Sequence, residues 1–209
     1  HQTRKRYEAF LEALKHDPVH RAAGVRPEVD FVVAREKDTG AVVDGLACGR
    51  IPERVTHNDT KLNNVMIDDR TGEGVCVIDL DTVMPGSVLY DFGDSVRLGA
   101  ATAAEDECDL AKVGFDLGLF DRLAAGYIDA ARGFLVPAET DLLAFSAKLL
   151  TLECGIRFLT DHLKGDVYFK IHREGHNLDR CRTQFKMVAE MEKQMAAMED
   201  SVPKYISVD

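Results

Sequence analysis

Apolar residues recur at helical spacing over most of the chain. Between Tyr7 and Leu14 they fall three and four residues apart, which predicts an amphipathic helix over residues 3–15 that ends before Pro18. The same pattern predicts a second helix from Pro27 to about residue 37, ended by Gly40 and its polar neighbours. Longer helices are predicted over residues 115–133, 139–162 and 176–197.

One stretch departs from the helical period and predicts strands. Short apolar runs at residues 63–69 and 74–81 are separated by turn residues from Asp69 to Gly72, a pattern typical of a compact β-hairpin. No internal repeat, low-complexity tract or linker divides the sequence. We therefore predict a single domain, residues 1–209, of the α+β class, mostly helical around a small hairpin.

Composition narrows the class of protein and its partners. With 209 residues, 45% apolar and 30% charged, the chain has ample material for a core. Its formal net charge of -10 disfavours nucleic acid and anionic lipid as partners, and no apolar run approaches the length of a membrane span. The five cysteines are odd in number and include no CxxC pair. They indicate reduced, mostly buried thiols of a cytoplasmic protein, not a disulfide framework or a zinc ribbon.

The segment from His57 to Asp79 carries the strongest candidate chemistry. His57, Asp59 and Asn64 have the spacing H-x-D-x-x-x-x-N, and Asp79 follows just beyond the next predicted strand. This spacing resembles the catalytic loop and metal-binding aspartate of the kinase-like phosphotransferases, the aminoglycoside phosphotransferase and choline kinase type. The resemblance implies an ATP-dependent enzyme that phosphorylates a small molecule. It also implies the fold of a protein-kinase-like C-terminal lobe.

Phosphoryl transfer needs groups that place a hydroxyl in line with the γ-phosphate and that hold magnesium. Asp59 fits the first task, as the residue that accepts the proton of the substrate hydroxyl. Asn64 and Asp79 fit the second, because amide and carboxylate oxygens are the hard ligands that Mg²⁺ prefers. Lys61 could lean on the transferring phosphate or be a solvated loop lysine, and both interpretations stay open.

Three further residues are predicted to support the site. In the kinase pattern the histidine, here His57, braces the loop. Asp81 could support the metal ligands or cap the turn before Pro85. Asp91 and Asp94 could cap backbone amides at the start of a helix, or Asp94 could help to hold Arg97 or the catalytic loop.

A narrower resemblance runs from about residue 54 to at least residue 170. Residues 78–97 in particular are similar to the bacterial N-acetylhexosamine 1-kinases, which implies that the acceptor is the anomeric hydroxyl of an N-acetylhexosamine. In similar kinases an arginine and a tyrosine hold the sugar, and they match Arg157 and Tyr168. A guanidinium offers paired donors to sugar oxygens, and a tyrosine ring can stack on a pyranose. On the residues alone, Arg157 would more often pair with Asp161.

The sequence begins at His1 and contains neither a Gly-rich phosphate-covering loop nor a strand lysine of the V-A-I-K type. The resemblance then implies that an N-terminal lobe is missing and that the 209-residue chain alone has little kinase activity. Two alternatives stay open. One is the same machinery acting on an aminoglycoside, choline or homoserine, with the absence of tryptophan counting mildly against choline. The other is a noncatalytic kinase-like module that binds partners.

Two other patterns favour plainer interpretations. His172 and His176 are four residues apart, but no glutamate follows the first histidine and Gly175 lies between them, so zinc is not favoured. Methionines at helical spacing near the C-terminal end of the sequence indicate core packing. These are Met187, Met191, Met195 and Met198.

Overall fold

The computed structural model describes residues 1–206, and most of them are helical. The helices are α1 Thr3–His16, α2 Arg26–Val33, α3 Ala41–Ala47, α4 Val88–Gly99, α5 Leu117–Ala131, α6 Pro137–Thr140, α7 Leu143–Leu163, α8 His176–Ser201 and α9 Pro203–Ile206. The strands are β1 Arg54–Thr56, β2 Val65–Ile67, β3 Gly74–Val77 and β4 Met84–Gly86. The predicted class, mostly helical with a small β component, is confirmed.

The predicted helix after Pro27 is wrong in its extent. Helix α2 ends at Val33, a short 3-10 turn covers Glu36–Gly40, and α3 begins at Ala41. Gly40 therefore precedes a helix and does not end the helical region. Helix α3 was not predicted from the sequence. It has only seven residues, and two buried ones, Val42 and Gly45, are too few to show a helical period.

The predicted hairpin is confirmed, and a second strand pair lies beside it. Strands β2 and β3 pair antiparallel, with Val65 opposite Val77. Strands β1 and β4 form a separate antiparallel pair, with Thr56 opposite Met84. The second pair was not predicted because each strand has three residues and the partners lie far apart in sequence, so neither shows a period of its own.

Helix α7 lies at the centre of the core and is buried around most of its circumference. One hydrophobic cluster joins it to α4, α5 and α8, with Phe92, Phe120 and Leu149 fully buried. A second cluster joins it to α1, α2 and α8 around Phe10 and Leu159. The predicted packing role of the four methionines is confirmed, because all of them belong to or pack against the first cluster.

A glycine allows α4 to lie close against α7. A Cβ atom at Gly93 would lie 2.5 Å from the carbonyl oxygen of Ser146. Helix α4 therefore approaches α7 at a distance that only glycine permits. This contact matters for the site because α4 also carries Asp91, Asp94 and Arg97.

The prediction of mostly buried cysteines is wrong. Cys48, Cys76 and Cys108 are exposed, Cys154 is half-buried, and only Cys181 is fully buried. The exposed three lie after α3, on β3 and in the segment between α4 and α5, where little of the chain covers them. No helix within residues 1–206 is both long and apolar enough to cross a membrane.

Candidate active site

The segment from His57 to Asn64 is an irregular loop between β1 and β2, and the carboxylate of Asp91 fixes its start. Asp91 accepts hydrogen bonds from the backbone N–H of His57 at 2.9 Å and of Asn58 at 2.7 Å. The backbone carbonyl of Asp91 also accepts the Thr60 hydroxyl at 2.5 Å. Helix α4 thus holds the loop through Asp91, for which the sequence had indicated only a helix cap.

The prediction that the aspartates of α4 cap its start is wrong. The cap is Ser87, whose hydroxyl accepts the backbone N–H of Leu89 at 3.3 Å. Asp94 lies further along the helix, and its Oδ1 accepts Arg97 Nε at 2.9 Å, with both side chains buried. The alternative in which Asp94 holds Arg97 therefore matches the observed contact.

Asp59 has one engaged oxygen and one open oxygen. Its Oδ2 accepts Lys61 Nζ at 2.8 Å and Asn64 Nδ2 at 2.9 Å. Its Oδ1 has no hydrogen-bond partner among residues 1–206, which leaves it available to a substrate hydroxyl. Burial raises the pKa of Asp59, but the hydrogen bonds from Lys61 and Asn64 outweigh burial and bring the pKa below its ordinary value. The carboxylate is therefore ionised at neutral pH, as a proton acceptor must be.

Lys61 is surrounded by negative charge. The hydrogen bond to Asp59 is the largest cause that raises its pKa, burial opposes it, and the charges of Asp79 and Asp94 add smaller contributions. Its ammonium is held by Asp59, with Nζ 2.8 Å from Oδ2. This position brings a fixed positive charge next to the candidate proton acceptor.

His57 contacts the loop and the hairpin at once. Its Nδ1 lies 3.3 Å from the backbone nitrogen of Asp59, which makes Nδ1 the acceptor, and its Nε2 lies 3.0 Å from the carbonyl oxygen of Ile78. Both contacts are met by a neutral ring that carries its proton on Nε2. Both ring nitrogens are thereby engaged with backbone atoms, as a bracing residue requires.

Asn64 and Asp79 are brought together by the hairpin. The backbone N–H of Ile78 donates to the carbonyl of Asn64 at 2.9 Å, so Asp79 follows directly after the residue paired with Asn64. Asp79 has a left-handed backbone, with φ of 60°, which an aspartate tolerates better than most residues. Strand β3 ends at Val77, and the aspartate is exposed two residues beyond it.

The donor atoms at this point fit a magnesium ion. Both donors of the Asn64 amide group go to Asp59, which leaves the amide oxygen of Asn64 without a partner in the described chain. The Asp79 carboxylate also makes no hydrogen bond or ion pair there. A free amide oxygen and a free carboxylate on paired segments suit Mg²⁺, which takes one or two carboxylates and completes its shell with water and phosphate. Residues 1–206 contain no group of three or more His, Cys, Asp or Glu side chains arranged for a metal.

Asp81 is exposed and follows Asp79 in a short 3-10 turn, Leu80–Thr82. Its carboxylate makes no hydrogen bond within the described chain. The two interpretations offered for Asp81 therefore both stay predictions.

Arg157 and Tyr168 both line a cavity of about 280 Å³ between α1 and α7. The carboxylate of Asp161 does not pair with Arg157. It accepts the backbone N–H groups of Val167, Tyr168 and Phe169 at 2.8 to 3.0 Å, and so it shapes the loop that follows α7. Arg157 instead lies over the ring of Phe169, with its guanidinium carbon 5.3 Å from the ring centre.

A larger cavity, of about 570 Å³, opens beside Asp59. Arg157 and Phe169 line this cavity as well as the smaller one, whereas Tyr168 lines only the smaller one and is 74% exposed. The structure thus brings Arg157 to the same cavity as Asp59 and leaves Tyr168 outside it. Phe169, which sequence reasoning missed, separates the two cavities.

Of the histidine pair, His172 also lines the cavity beside Asp59. His176 begins α8, and its Nε2 lies 2.9 Å from a carboxylate oxygen of Asp106. Its Nδ1 accepts the backbone N–H of His172, at 3.2 Å. His172 is part of the loop before the helix, as the sequence indicated.

A family model described as the phosphotransferase enzyme family matches residues 2–133, which is more than half of the chain. The chain belongs to the phosphotransferase enzyme family. It is therefore a kinase-like protein of a family that acts on small molecules and generally uses ATP and Mg²⁺. The match includes the loop that carries Asp59 and Asn64, and also Asp79 and Asp94. It ends before Arg157 and Tyr168. The match therefore supports the assignment to a family of phosphotransferases, but it gives no information on the acceptor substrate.

Proposed function

We propose that this chain carries the phosphoryl-transfer site of an ATP-dependent kinase and that Asp59 accepts the proton of the acceptor hydroxyl. The observation that carries the proposal is that only one of the two oxygens of the Asp59 carboxylate is hydrogen-bonded within the described chain. One oxygen is fixed by Lys61 and Asn64, and the other is open beside a cavity of about 570 Å³. A carboxylate held in this way can align a hydroxyl without rotating away from it.

The neighbouring residues have separate roles in this proposal. Asn64 and Asp79 would hold magnesium through their free oxygens, and when bound the ion neutralises charge on the phosphate oxygens. Lys61 keeps Asp59 ionised, and its ammonium lies where it can also attract a phosphate. His57 braces the loop, Asp94 fixes Arg97, and Asp81 is assigned a supporting role near the metal ligands.

We also propose that residues 1–209 form one domain, the C-terminal lobe, and that a nucleotide-binding N-terminal lobe covers its hairpin face. The support is an apolar surface on and around the hairpin. Its large residues are half exposed or more, which is unusual for a face left in water. They include Val55, Leu62, Met66, Val75, Val77 and Leu80. The chain alone is then expected to have little kinase activity, and steady ADP production by the purified chain would contradict this.

The proposed acceptor is the anomeric hydroxyl of an N-acetylhexosamine, with Arg157 and Tyr168 as its ligands. Arg157 supports this because it lines the Asp59 cavity and has no carboxylate partner within residues 1–206. Tyr168 supports it less, since it lies on the adjoining cavity and would contact only a ligand that extends past Phe169. A cytoplasmic location is part of the proposal, supported by cysteines spaced without a disulfide framework.

The acceptor is tested by coupled ADP release from the full-length protein with Mg-ATP. The panel is N-acetylglucosamine, N-acetylgalactosamine, galactose, choline, homoserine and kanamycin. Turnover of an N-acetylhexosamine, with a raised KM for that sugar in Arg157→Gln, is the expected result. Turnover of another alcohol alone would keep the role of Asp59 and remove Arg157 and Tyr168 as sugar ligands.

The noncatalytic alternative predicts a different result. A binding module has no need for the free oxygens of Asn64 and Asp79, so nucleotide would not stabilise it through magnesium. The proposed enzyme should instead gain thermal stability from Mg-ATP, by about 2.7 kcal/mol when the nucleotide is at 100 times its Kd. Loss of this gain in Asp79→Asn is expected, and the absence of any shift at millimolar Mg-ATP would favour the binding module.

A further inference from the structure

The cavity beside Asp59 has more cationic than anionic side chains in its wall. Its carboxylates are Asp59 and Glu105. Its lysines and arginines are Lys61, Arg97, Arg157, Lys170 and Arg180, and His172 lines it as well. The whole chain has the opposite balance, with 36 acidic and 26 basic residues. The positive excess therefore belongs to this cavity and does not follow from composition.

Two of the cations are neutralised by carboxylates of the chain. Lys61 Nζ lies 2.8 Å from Asp59 Oδ2. Arg97 bonds Asp94 at 2.9 Å and Glu105 at 2.7 Å. These pairs use both anions of the cavity wall.

The other three cations have no carboxylate partner among residues 1–206. The guanidinium of Arg157 lies over Phe169, 5.3 Å from the ring centre, and that of Arg180 lies over Phe158 at 5.5 Å. Such contacts orient a guanidinium without neutralising its charge. Lys170 is exposed, and its ammonium makes no hydrogen bond or ion pair within the described chain.

A hydrogen bond links the two segments that carry Lys170 and Arg180. Arg180 Nη1 donates to the backbone carbonyl of Lys170 at 3.2 Å and to Asn177 Oδ1 at the same distance. The first of these bonds ties α8 to the loop that carries Lys170. Lys170 and Arg180 therefore line the cavity from two segments that are held together.

Glu153 is a buried carboxylate whose charge interacts with that of Arg157, and its oxygens are engaged elsewhere. Burial raises its pKa, while His1, Thr3 and the charge of Arg157 together bring the pKa below its ordinary value. Its two oxygens bond His1 Nδ1 at 2.8 Å and Thr3 Oγ1 at 2.5 Å. Glu153 therefore leaves the cavity side of Arg157 free for a ligand.

We infer that the acceptor carries an anionic group, a carboxylate or a phosphate, which Arg157, Lys170 and Arg180 bind. This inference rests on the proposed function of Asp59, since it places the reacting hydroxyl and the anion in one cavity. A guanidinium matches the two oxygens of a carboxylate or phosphate in a paired contact, and an ammonium adds a point charge. The volume of about 570 Å³ suits a sugar acid or a sugar phosphate. A cationic acceptor such as choline or an aminoglycoside is disfavoured by the same charges.

Matched acceptors test this with the full-length protein. We would measure kcat/KM for galactose against galacturonate and for N-acetylglucosamine against its 6-phosphate. The acidic member of a pair should be preferred by about 10-fold or more, the size expected for hydrogen bonds to a charged group. Arg180→Gln and Lys170→Gln should each raise KM for the acid and leave KM for the neutral sugar and for ATP unchanged. The control is Lys112→Gln, an exposed lysine outside the cavity.

The outcomes separate this inference from the proposed function. Equal or better use of the neutral sugars, with activity still lost in Asp59→Asn, overturns the inference and leaves the proposed function standing. A raised KM for ATP in Arg180→Gln overturns it too, because the cations would then serve the nucleotide phosphates. If no acceptor is turned over, the proposed function fails, and calorimetric titration with the two acids decides the inference. Binding that weakens about 10-fold in Arg180→Gln supports it, and no binding overturns it.

Discussion

The contact between α4 and α7 makes Gly93→Ala the sharpest structural test, because α4 holds the catalytic loop through Asp91. A methyl group at this position would lie 2.5 Å from the carbonyl oxygen of Ser146 and 3.0 Å from Leu150 Cγ. Favourable contact distances between non-bonded heavy atoms are about 3.5–4.0 Å, so the methyl group would be about 1 Å too close. The nearest atoms belong to a backbone, which cannot turn aside as a side chain can.

Two opposing effects set the magnitude. Alanine in place of a helical glycine stabilises a helix by about 1 kcal/mol. Overpacking of a tight contact costs about 1–3 kcal/mol. Gly126→Ala in α5 separates the two effects, since Gly126 is exposed and a Cβ atom there meets no atom within 4 Å. The difference between the two alanine variants therefore isolates the steric cost of about 1–3 kcal/mol.

Thermal and denaturant unfolding of the two variants measure this difference. For a protein of this size, each kcal/mol shifts Tm by about 2–4 °C, so Gly93→Ala should melt about 2–12 °C below Gly126→Ala. Wild type should lie about 1 kcal/mol below Gly126→Ala and about 0–2 kcal/mol above Gly93→Ala. Equal stability of the two alanine variants would refute the close approach of α4 and α7.

Two further predictions concern the supports of the catalytic loop. Asp91→Asn replaces one acceptor of the His57 and Asn58 N–H groups by a donor, so hydrogen exchange of these two amides should rise about 5- to 150-fold, for a loss of 1–3 kcal/mol. Burial raises the pKa of Asp91, which means that its buried charge is itself unfavourable. The neutral asparagine removes this cost, so we expect a rise in exchange near the lower end of the range. Burial lowers the pKa of His1, but Glu153 outweighs burial and raises it above its ordinary value. The stability that the charged His1 adds is therefore fully present below about pH 6.5, and it is lost as the pH rises through the folded pKa. His1→Gln should accordingly lower the free energy of unfolding less at pH 9 than at pH 6.

Each of these predictions has a matched control. Asp129→Asn changes an exposed helical aspartate and should leave exchange of the loop amides unchanged. His16→Gln changes an exposed histidine on α1 and controls for the replacement of a histidine as such. Unchanged exchange in Asp91→Asn would mean that the carboxylate does not hold the loop. A cost of His1→Gln that stays constant from pH 6 to pH 9 in denaturant unfolding would mean that the charged pair with Glu153 adds nothing.

What could be predicted from the sequence was whatever depends on neighbours along the chain. The apolar period from Tyr7 to Leu14 predicted α1 to within one residue of its end. The turn residues after the first apolar run predicted the pairing of β2 with β3. The spacing of Asp59 and Asn64 predicted that both belong to one catalytic loop, and their side chains lie within 2.9 Å of each other.

What could not be predicted depends on contacts between distant segments. The bond from the His57 backbone to Asp91 joins residues 34 positions apart, and an aspartate near the start of a helix resembles a cap in any sequence. The pairing of β1 with β4 has the same cause. Arg157 was expected to pair with Asp161 if it had no functional role, but Asp161 turns its carboxylate to the loop that carries Tyr168. Which of several possible partners a side chain contacts depends on the tertiary structure, which the local sequence does not determine.

The role of Asp59 is tested most directly by the kcat of Asp59→Asn in the full-length protein, measured by coupled ADP release with Mg-ATP and the best acceptor of the panel. Asp69→Asn is the control, because Asp69 is an exposed aspartate in the turn of the same hairpin. Loss of a positioned proton acceptor should lower kcat by about 10²–10⁴-fold, with Mg-ATP still bound. A kcat for Asp59→Asn equal to that of Asp69→Asn would contradict the assignment of Asp59 as the residue that accepts the hydroxyl proton.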